Sequence, residues 1–215
     1  MKKHRRIADQ RLQPNKANNK SQKGEVRIIA GLWRGRKLPV LDSQGLRPTT
    51  DRIKETLFNW LMPYIVGARC LDCFAGSGSL GVEALSRQAS AVQFFEQDKS
   101  AVKQLQQNLQ RLECQRGLIT QGDTLQLLAQ GNSQLPFDIV FLDPPFQQQL
   151  IAPTIERLQS NGWLTAGALV YVETEKQLAT LQVPVTWRLL KQKIGGEVCF
   201  RLYQTADQQT LQQRY

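Results

Sequence analysis

The sequence predicts an α/β domain built on a mainly parallel, seven-stranded sheet with helices on both faces, preceded by a small basic β-hairpin. Short apolar strands alternate with helices of about 10–15 residues, which is typical of a doubly wound sheet. The clearest strand, 137–143, is a continuous apolar run, as expected for a strand buried on both faces. With 215 residues, 41% of them hydrophobic, the chain can form one such domain around a real core.

Positive charge is concentrated at the amino-terminal end. Residues 1–47 contain 13 Lys and Arg against 3 Asp and Glu, whereas residues 48–215 contain 15 of each kind. A localised basic block is typical of a protein that binds a polyanion, because cations near phosphates release condensed counterions. Residues 1–24 are too polar to fold alone, and both a solvated tail and an RNA-binding arm fit them.

Residues 25–47 are predicted to form the hairpin extension, with strands at 25–30 and 36–40 on either side of a glycine-bounded turn. Cations beside an aromatic ring suit phosphate contact combined with base stacking. The alternative is a core tryptophan on a charged hairpin. The candidate RNA-binding residues are Arg27, Trp33, Arg34, Arg36 and Lys37.

The predicted domain body, residues 48–204, begins with a helix over Asp51–Leu61, where apolar residues recur at helical spacing before Pro63 ends the helix. Asp98 is expected to cap a later helix. Further helices are predicted at 79–87, after Gly122 and after the fourth strand. The predicted strands are 69–74, 91–96, 118–121, 137–143, 168–173, 184–190 and 198–204, the last two forming an antiparallel hairpin, followed by a polar tail over 205–215.

Several classes of protein are excluded by composition. His4, the only histidine, lies in the polar tail, so a Ser-His-Asp triad, a Cys-His pair or a histidine-built zinc site is not expected. No apolar stretch approaches the ~20 residues of a transmembrane helix, and the basic amino terminus lacks the apolar region of a secretory signal. We therefore expect a cytoplasmic protein whose chemistry depends on carboxylates, backbone groups or a cofactor, with no metal.

The cysteines do not indicate a site. Cys70 and Cys73 have C-x-x-C spacing, but Cys114 and Cys199 form no second pair. Packed thiols are therefore predicted, rather than a zinc site or a redox pair.

A glycine motif follows the first strand of the body. Gly76, Gly78 and Gly81 form G-x-G-x-x-G between a strand and a helix, a context that presents backbone N–H groups to a ligand. Glu96 ends the next strand, 20 residues after Gly76, where a carboxylate can accept both hydroxyls of a ribose. Ordinary turn glycines are the alternative. The combination predicts a cofactor that contains a nucleoside.

Asp72 distinguishes between possible cofactors, because it lies at the strand end just before the glycines. A carboxylate there would repel a pyrophosphate and would attract a cationic amino-acid end. S-adenosylmethionine is therefore favoured over NAD.

A second motif, D-P-P-F over residues 143–146, follows the buried strand. Prolines stiffen the turn, which presents a carboxylate and carbonyls but few N–H donors. The amine of a planar base can donate to Asp143 and to the carbonyl of Pro144 while the ring stacks on Phe146. A proline-stiffened exit turn without chemistry is the alternative. The predicted catalytic residues are Asp143, Pro144, Pro145 and Phe146.

Such a turn could activate a poor nucleophile. The lone pair of an aromatic amine is delocalised into the ring, and two acceptors that favour a pyramidal nitrogen oppose this delocalisation. The departing proton could go to Asp143 or to water.

These motifs resemble a known family. D-P-P-F is similar to the (Asp/Asn/Ser)-Pro-Pro-aromatic signature of methyltransferases that act on amino groups of nucleic-acid bases. Together with the segments RPTTDRIKETLFN (47–59), LDCFAGSGSLGVEALSR (71–87) and FFEQD (94–98), it resembles the RsmD-type bacterial methyltransferases over about residues 27–203. The resemblance implies a Rossmann-like class I fold and methylation, by S-adenosylmethionine, of the N2 amine of guanine 966 in 16S ribosomal RNA.

The resemblance also implies site residues and a partner. The substrate would be a base splayed out of its stack in an assembled or nearly assembled small subunit, with the hairpin as docking arm, and a monomer is expected. Departures from the family pattern at Cys73 and Gln97 are small. The implied cofactor-binding residues are Asp72, Ala75, Gly76 and Gly78 in the glycine loop, Glu96 at the ribose, Asp123 and Thr124 at the adenine, and Arg47, Thr49 and Arg52 near the methionine end.

Three other functions are weighed against this one. An N6-adenine DNA methyltransferase would use the same D-P-P-F chemistry, but those enzymes usually carry an added target-recognition domain. A non-catalytic RNA-binding assembly factor would not need the intact glycine loop and Asp143. An NAD oxidoreductase is disfavoured by Asp72 and the proline turn.

Overall fold

The computed structural model describes residues 24–41, 50–145, 149–178 and 180–206. The elements in chain order are β1 (Gly24–Arg27), β2 (Lys37–Val40), α1 (Asp51–Leu61), β3 (Arg69–Asp72), α2 (Ser79–Ser86), β4 (Ala91–Glu96), α3 (Lys99–Arg111), β5 (Gly117–Gln121), α4 (Thr124–Ala129), β6 (Phe137–Leu142), α5 (Ile151–Ser160), β7 (Leu164–Glu175), β8 (Arg188–Gly195) and β9 (Val198–Gln204).

The main sheet has seven strands in the order β5-β4-β3-β6-β7-β9-β8. Strands β3 to β7 pair in parallel, and β9 pairs antiparallel with both β7 and β8. The predicted fold class is therefore confirmed. The chain order reverses between β3 and β6, and such a switch point is where open α/β sheets bind ligands beyond the carboxyl ends of their strands.

The position predicted for the penultimate strand is wrong. It was expected at 184–190, whereas β8 begins at Arg188 and runs to Gly195. Two features explain the shift. The segment from Pro184 to Trp187 forms a turn, in which the Trp187 N–H donates to the Pro184 carbonyl. Most side chains of β8, an edge strand, are exposed, so little apolar alternation marks its bounds in the sequence.

Helices cover both faces of the sheet, and each covers one of two apolar clusters. Helices α1, α2 and α3 contribute to a cluster that includes Phe94, Phe141 and Tyr171. Helices α4 and α5 contribute to the other, around Val140 and Val170. In the described part of the chain the longest helix has 13 residues, and none has the length and hydropathy to cross a membrane.

The amino-terminal hairpin, β1 paired antiparallel with β2, packs onto α2 rather than projecting freely. The buried Glu83 carboxylate accepts hydrogen bonds from the N–H groups of Ile29 (2.8 Å) and Ala30 (3.0 Å). Its Oε1 also pairs with Nε of Arg87 at 2.8 Å. Because a buried carboxylate satisfies two backbone donors and one cation, the loop between β1 and β2 has a fixed position on the domain.

Candidate cofactor cleft and catalytic turn

A cleft opens at the carboxyl ends of β3, β4, β5 and β6. Four successive strand-to-helix connections therefore meet at one place, as expected at a topological switch point. Its lining residues are Phe74 and Gly76 after β3, Phe95, Glu96 and Gln97 at the end of β4, Asp123 and Thr124 after β5, and Pro145 and Leu150 after β6.

The three glycines of the motif have different structural roles. Gly78 precedes α2 with φ of +76°, a conformation that side chains rarely adopt. At Gly81, a Cβ atom would lie 2.1 Å from Cε1 of Phe94, so only glycine lets α2 approach β4 this closely. At Gly76, a Cβ atom would meet nothing within 4 Å, because this residue faces the open cleft.

Glu96 is held by backbone donors at the mouth of the cleft. Its Oε2 accepts from the N–H of Gly76 at 2.7 Å, and its Oε1 accepts from the N–H of Asp98 at 2.7 Å. Each carboxylate oxygen can accept a second hydrogen bond. The geometry thus leaves one acceptor site on each oxygen for a pair of neighbouring hydroxyl groups.

Asp72 lies deeper than the cleft lining and is only 2% exposed. Its Oδ2 accepts from the N–H of Gly81 at 3.0 Å, so the carboxylate caps the first turn of α2, whose own N-cap residue, Gly78, has no side chain. Burial, together with the nearby charges of Asp143 and Glu96, raises the pKa of Asp72 to about 7, while backbone hydrogen bonds from Gly81 and Phe74 oppose the shift. The carboxyl group of Asp72 therefore takes up a proton at a higher pH than an exposed aspartate does.

Asp123 and Thr124 line the cleft from the connection between β5 and α4. Asp123 is the N-cap of α4, and its Oδ1 accepts from the N–H of Gln126 at 2.9 Å. The Thr124 hydroxyl donates to the Cys73 carbonyl, which joins α4 to the end of β3. Thr124 therefore contributes to the cleft wall with its hydroxyl proton already engaged.

The D-P-P turn directly follows β6. Asp143 is partly exposed, Pro144 is buried, and Pro145 lines the same cleft as Glu96. The charge of Asp143 raises the pKa of Asp72, so the two carboxyl groups interact across the strand ends. Phe146, the fourth predicted catalytic residue, lies outside the described residues.

Three residues are predicted near the methionine end. Arg47 and Thr49 lie outside the described residues. Arg52 lies in the first turn of α1 with an exposed side chain. Ala75, by contrast, is buried in the glycine loop, where its N–H donates to the Phe95 carbonyl at 2.9 Å.

The predicted RNA-binding residues are in different environments. Arg27 and Arg34 are exposed. Lys37 is exposed and pairs with Glu25 at 3.0 Å, and the Arg36 guanidinium donates to the Arg111 carbonyl at 2.8 Å. Trp33 is half-buried and packs against the core. The hairpin therefore presents exposed cations, but its indole ring also has a packing role.

Two residues that the sequence analysis did not assign lie close to the site. Lys54, 1% exposed, donates from Nζ to the Arg27 carbonyl (2.6 Å) and to Oγ of Ser79 (3.2 Å), so it joins the hairpin to the helix after the glycine loop. Burial lowers the pKa of Lys54, against the charge of Glu83. The sequence signal was a lysine on the apolar stripe of α1, between Ile53 and Leu57.

Glu173 is the second such residue. It is 4% exposed, and its Oε2 accepts from the Tyr171 hydroxyl at 2.7 Å. The signal in the sequence was an acidic residue at the end of an apolar strand that neighbours β6. In addition to the larger effect of burial, the charge of Asp143 raises the pKa of both Glu173 and Tyr171.

The cysteines are packed thiols. Cys70 and Cys73 are fully buried, and burial raises the pKa of both thiols. No disulfide joins cysteines in the described segments, and no group of His, Cys, Asp or Glu side chains there could hold a metal ion.

Comparison with known proteins agrees with this fold. A family model described as "Conserved hypothetical protein 95" matches residues 26–204. The chain is 58% identical to the ribosomal RNA small subunit methyltransferase D of Haemophilus influenzae, over 88% of this chain and 98% of that protein. It is 51% identical to the Escherichia coli protein of the same name, over 90% and 96%.

Solved structures give the same result. A methyltransferase structure from Escherichia coli has a TM-score of 0.79 at 48% identity, covering 86% of this chain and all of that one. A methylase structure from Haemophilus influenzae has a TM-score of 0.75 at 54% identity, with the same coverage. The prediction of a Rossmann-like, S-adenosylmethionine-dependent methyltransferase fold is confirmed. The chain therefore belongs to the ribosomal RNA small subunit methyltransferase D family.

Proposed function

We propose that this protein transfers a methyl group from S-adenosylmethionine to the N2 amine of a guanine, guanine 966 by family resemblance, in 16S ribosomal RNA of the small ribosomal subunit. One observation carries the proposal. The D-P-P turn after β6 opens on the same cleft as Glu96, since Pro145 and Glu96 both line it. The turn that we propose to activate the amine and a carboxylate that could hold a ribose therefore border the same cleft.

The residues present fit S-adenosylmethionine. Glu96 would hold the two ribose hydroxyls with its remaining acceptor sites, and Asp123 would accept from the adenine amine. The carboxyl groups of Asp72, Glu96 and Asp143 lie near one another at these strand ends, and after burial the charges of Asp143 and Glu96 contribute to the raised pKa of Asp72. Such a cleft attracts a cationic ligand and repels a pyrophosphate. When bound, the cofactor supplies a methyl group on a positively charged sulfur.

Asp143 and the Pro144 carbonyl would orient and activate the target amine. Both are acceptors, so they favour an amine whose two hydrogens point toward them and whose lone pair points away from the ring plane. The interaction strengthens as positive charge develops on the nitrogen, which lowers the barrier rather than only binding the base. The proton that leaves the amine passes to Asp143 or to water.

The partner in this proposal is RNA within the small subunit, or a late assembly intermediate, in the cytoplasm. Arg27 and Arg34 provide exposed cations on a hairpin whose position is fixed by Glu83. Because the hairpin is docked on the domain, phosphate contacts there would orient the RNA relative to the cleft. The names of the relatives support ribosomal RNA as the substrate class.

The decisive experiment supplies labelled S-adenosylmethionine to small subunits from cells that lack this protein, in parallel with naked 16S RNA. Nucleoside analysis of the product is expected to give N2-methylguanosine at a single site, with faster transfer to subunits. N6-methyladenosine as the product would contradict the proposal, as would the absence of transfer to both substrates.

Cofactor affinity should depend on pH through Asp72. The cationic amino-acid end of the cofactor favours the ionised carboxylate, and the pKa of Asp72 is about 7 in the free protein. The Kd for S-adenosylmethionine is therefore expected to rise as pH falls below 7, by up to about fivefold between pH 7 and pH 6. Titration calorimetry across this range measures it.

The variant Asp72→Asn should bind more weakly at pH 7 and lose most of that pH dependence, because an amide does not titrate. Glu156→Gln, at an exposed position of α5, is the matched control and should keep the wild-type dependence. If the Kd of Asp72→Asn for S-adenosylmethionine varied with pH as that of the wild type does, Asp72 would not hold the cation.

A further inference from the structure

Glu173 lies in β7, beside the strand that carries the candidate catalytic turn. The register pairs Phe141 with Tyr171 and Leu142 with Val172. Asp143 follows Leu142 and Glu173 follows Val172, so these two residues are neighbours across the strand pair. Because neighbouring strands lie about 5 Å apart, a second carboxyl group is built in next to Asp143 at the same edge of the sheet.

The environment of Glu173 is unusual for an acidic side chain. It is 4% exposed, and no lysine or arginine of the described segments forms an ion pair with it. Its hydrogen-bond partner is the Tyr171 hydroxyl, at 2.7 Å. A buried carboxylate without a cation is costly, so the group is held most easily in its neutral, protonated form.

The groups that face Glu173 explain its protonation. Tyr171 faces it from β7, and Asp143 faces it from the end of β6. From β9 the paired residue is the apolar Phe200, against which Trp60 of α1 stacks. Burial, and then the charge of Asp143, raise the pKa of Glu173 to about 8, while the Tyr171 hydrogen bond opposes the shift.

We infer that Glu173 is a positioning residue for the proposed methyl transfer: its carboxyl group, held by Tyr171, stays neutral, so that Asp143 is the charged acceptor beside the target amine. The inference rests on the proposed function. A neutral carboxyl group still has one O–H to donate while it accepts from Tyr171. When Glu173 ionises, that donor is lost and a like charge appears beside Asp143, which disturbs the orientation of the carboxylate.

Single-turnover methyl transfer to small subunits, with saturating S-adenosylmethionine, tests the inference between pH 7 and pH 9. In the wild type, the rate at pH 9 is expected to be at most about one third of the rate at pH 7. In Glu173→Gln this ratio should be close to one, because glutamine keeps a donor and an acceptor but does not ionise. Dividing the rate of each variant by the wild-type rate at the same pH removes the effects of pH on the small subunits themselves.

A second variant should shift the pH at which the rate falls, which a purely structural role of Glu173 would not produce. The Tyr171 hydroxyl stabilises ionised Glu173, so Tyr171→Phe should raise the pKa of Glu173 and move the alkaline fall in rate to higher pH. Glu156→Gln should leave the profile unchanged. Melting temperature and cofactor affinity, measured at each pH, separate these effects from unfolding.

The outcomes distinguish this inference from the proposed function. If the wild type transfers the methyl group but the rate of Glu173→Gln falls at alkaline pH as much as the wild-type rate does, the role of Glu173 alone is overturned. The same holds if the fall in rate of Tyr171→Phe occurs at the same pH as in the wild type. If the wild type transfers no methyl group to either RNA substrate, the proposed function fails and the inference fails with it.

Discussion

Replacing Asp143 with alanine is expected to reduce the rate of methyl transfer by about 10²–10³-fold, with little change in the affinity for S-adenosylmethionine. The carboxylate contacts the target amine in the proposed reaction, and its interaction is strongest when positive charge develops on the nitrogen. The part of the cleft that is proposed to hold the ribose includes Glu96 and its donors Gly76 and Asp98, which the substitution does not touch. Single-turnover rates and calorimetric binding measure the two effects separately.

The substitution Glu156→Ala is the matched control, because it removes an exposed carboxylate of α5 that lies outside the cleft lining. It should leave both rate and affinity unchanged. If Asp143→Ala turned over at a rate near that of the wild type, the assignment of the D-P-P turn as catalytic would be wrong. A loss of cofactor affinity equal to the loss of rate would instead place Asp143 in cofactor binding.

Replacing Glu83 with alanine is expected to lower the free energy of unfolding by about 3–5 kcal/mol. Its side chain is completely buried and serves the N–H groups of Ile29 and Ala30 as well as the Arg87 guanidinium, whose side chain is 14% exposed. The substitution would leave two backbone donors and one cation without their partner. Urea unfolding, followed by circular dichroism, measures the change.

An ion pair at the surface of the same hairpin provides the comparison. Lys37 and Glu25 are separated by 3.0 Å, but both side chains are more than half exposed. Removing that pair with Glu25→Gln should cost no more than about 1 kcal/mol, because water solvates both charges. Equal effects at Glu83 and Glu25 would contradict the docking of the hairpin through a buried carboxylate.

Local patterns were sufficient for most of the elements. The helix α1 and the strand β4 begin and end at the predicted residues, and Asp98 caps α3 as expected, with its Oδ1 accepting from the N–H of Ala101. These features depend on helical spacing, on a buried apolar run and on a capping side chain, all of which are written in a few consecutive residues. The position of β8 depends on its pairing with β9, and there the prediction was wrong.

The candidate site, too, could be predicted only in part from local patterns. The positions of Gly76, Glu96 and Asp143 could be predicted because each lies at or just after the end of a strand, and parallel strands end at a common edge. The Glu96 carboxylate does meet the Gly76 N–H, and Pro145 lies in the same cleft. Three predicted residues, Arg47, Thr49 and Phe146, lie outside the described residues, and the roles of all the predicted site residues stay predictions.

The sequence by itself therefore determined the fold class, the glycine loop and the acidic strand ends, since these follow from the order and spacing of residues along one stretch of chain. Only the tertiary structure decided that Glu83 docks the hairpin, that Lys54 joins it to α2, and that Glu173 lies beside Asp143. The physical reason is that desolvation and like-charge repulsion depend on neighbours in space. Strand register brings together carboxyl groups that are 30 positions apart in the chain.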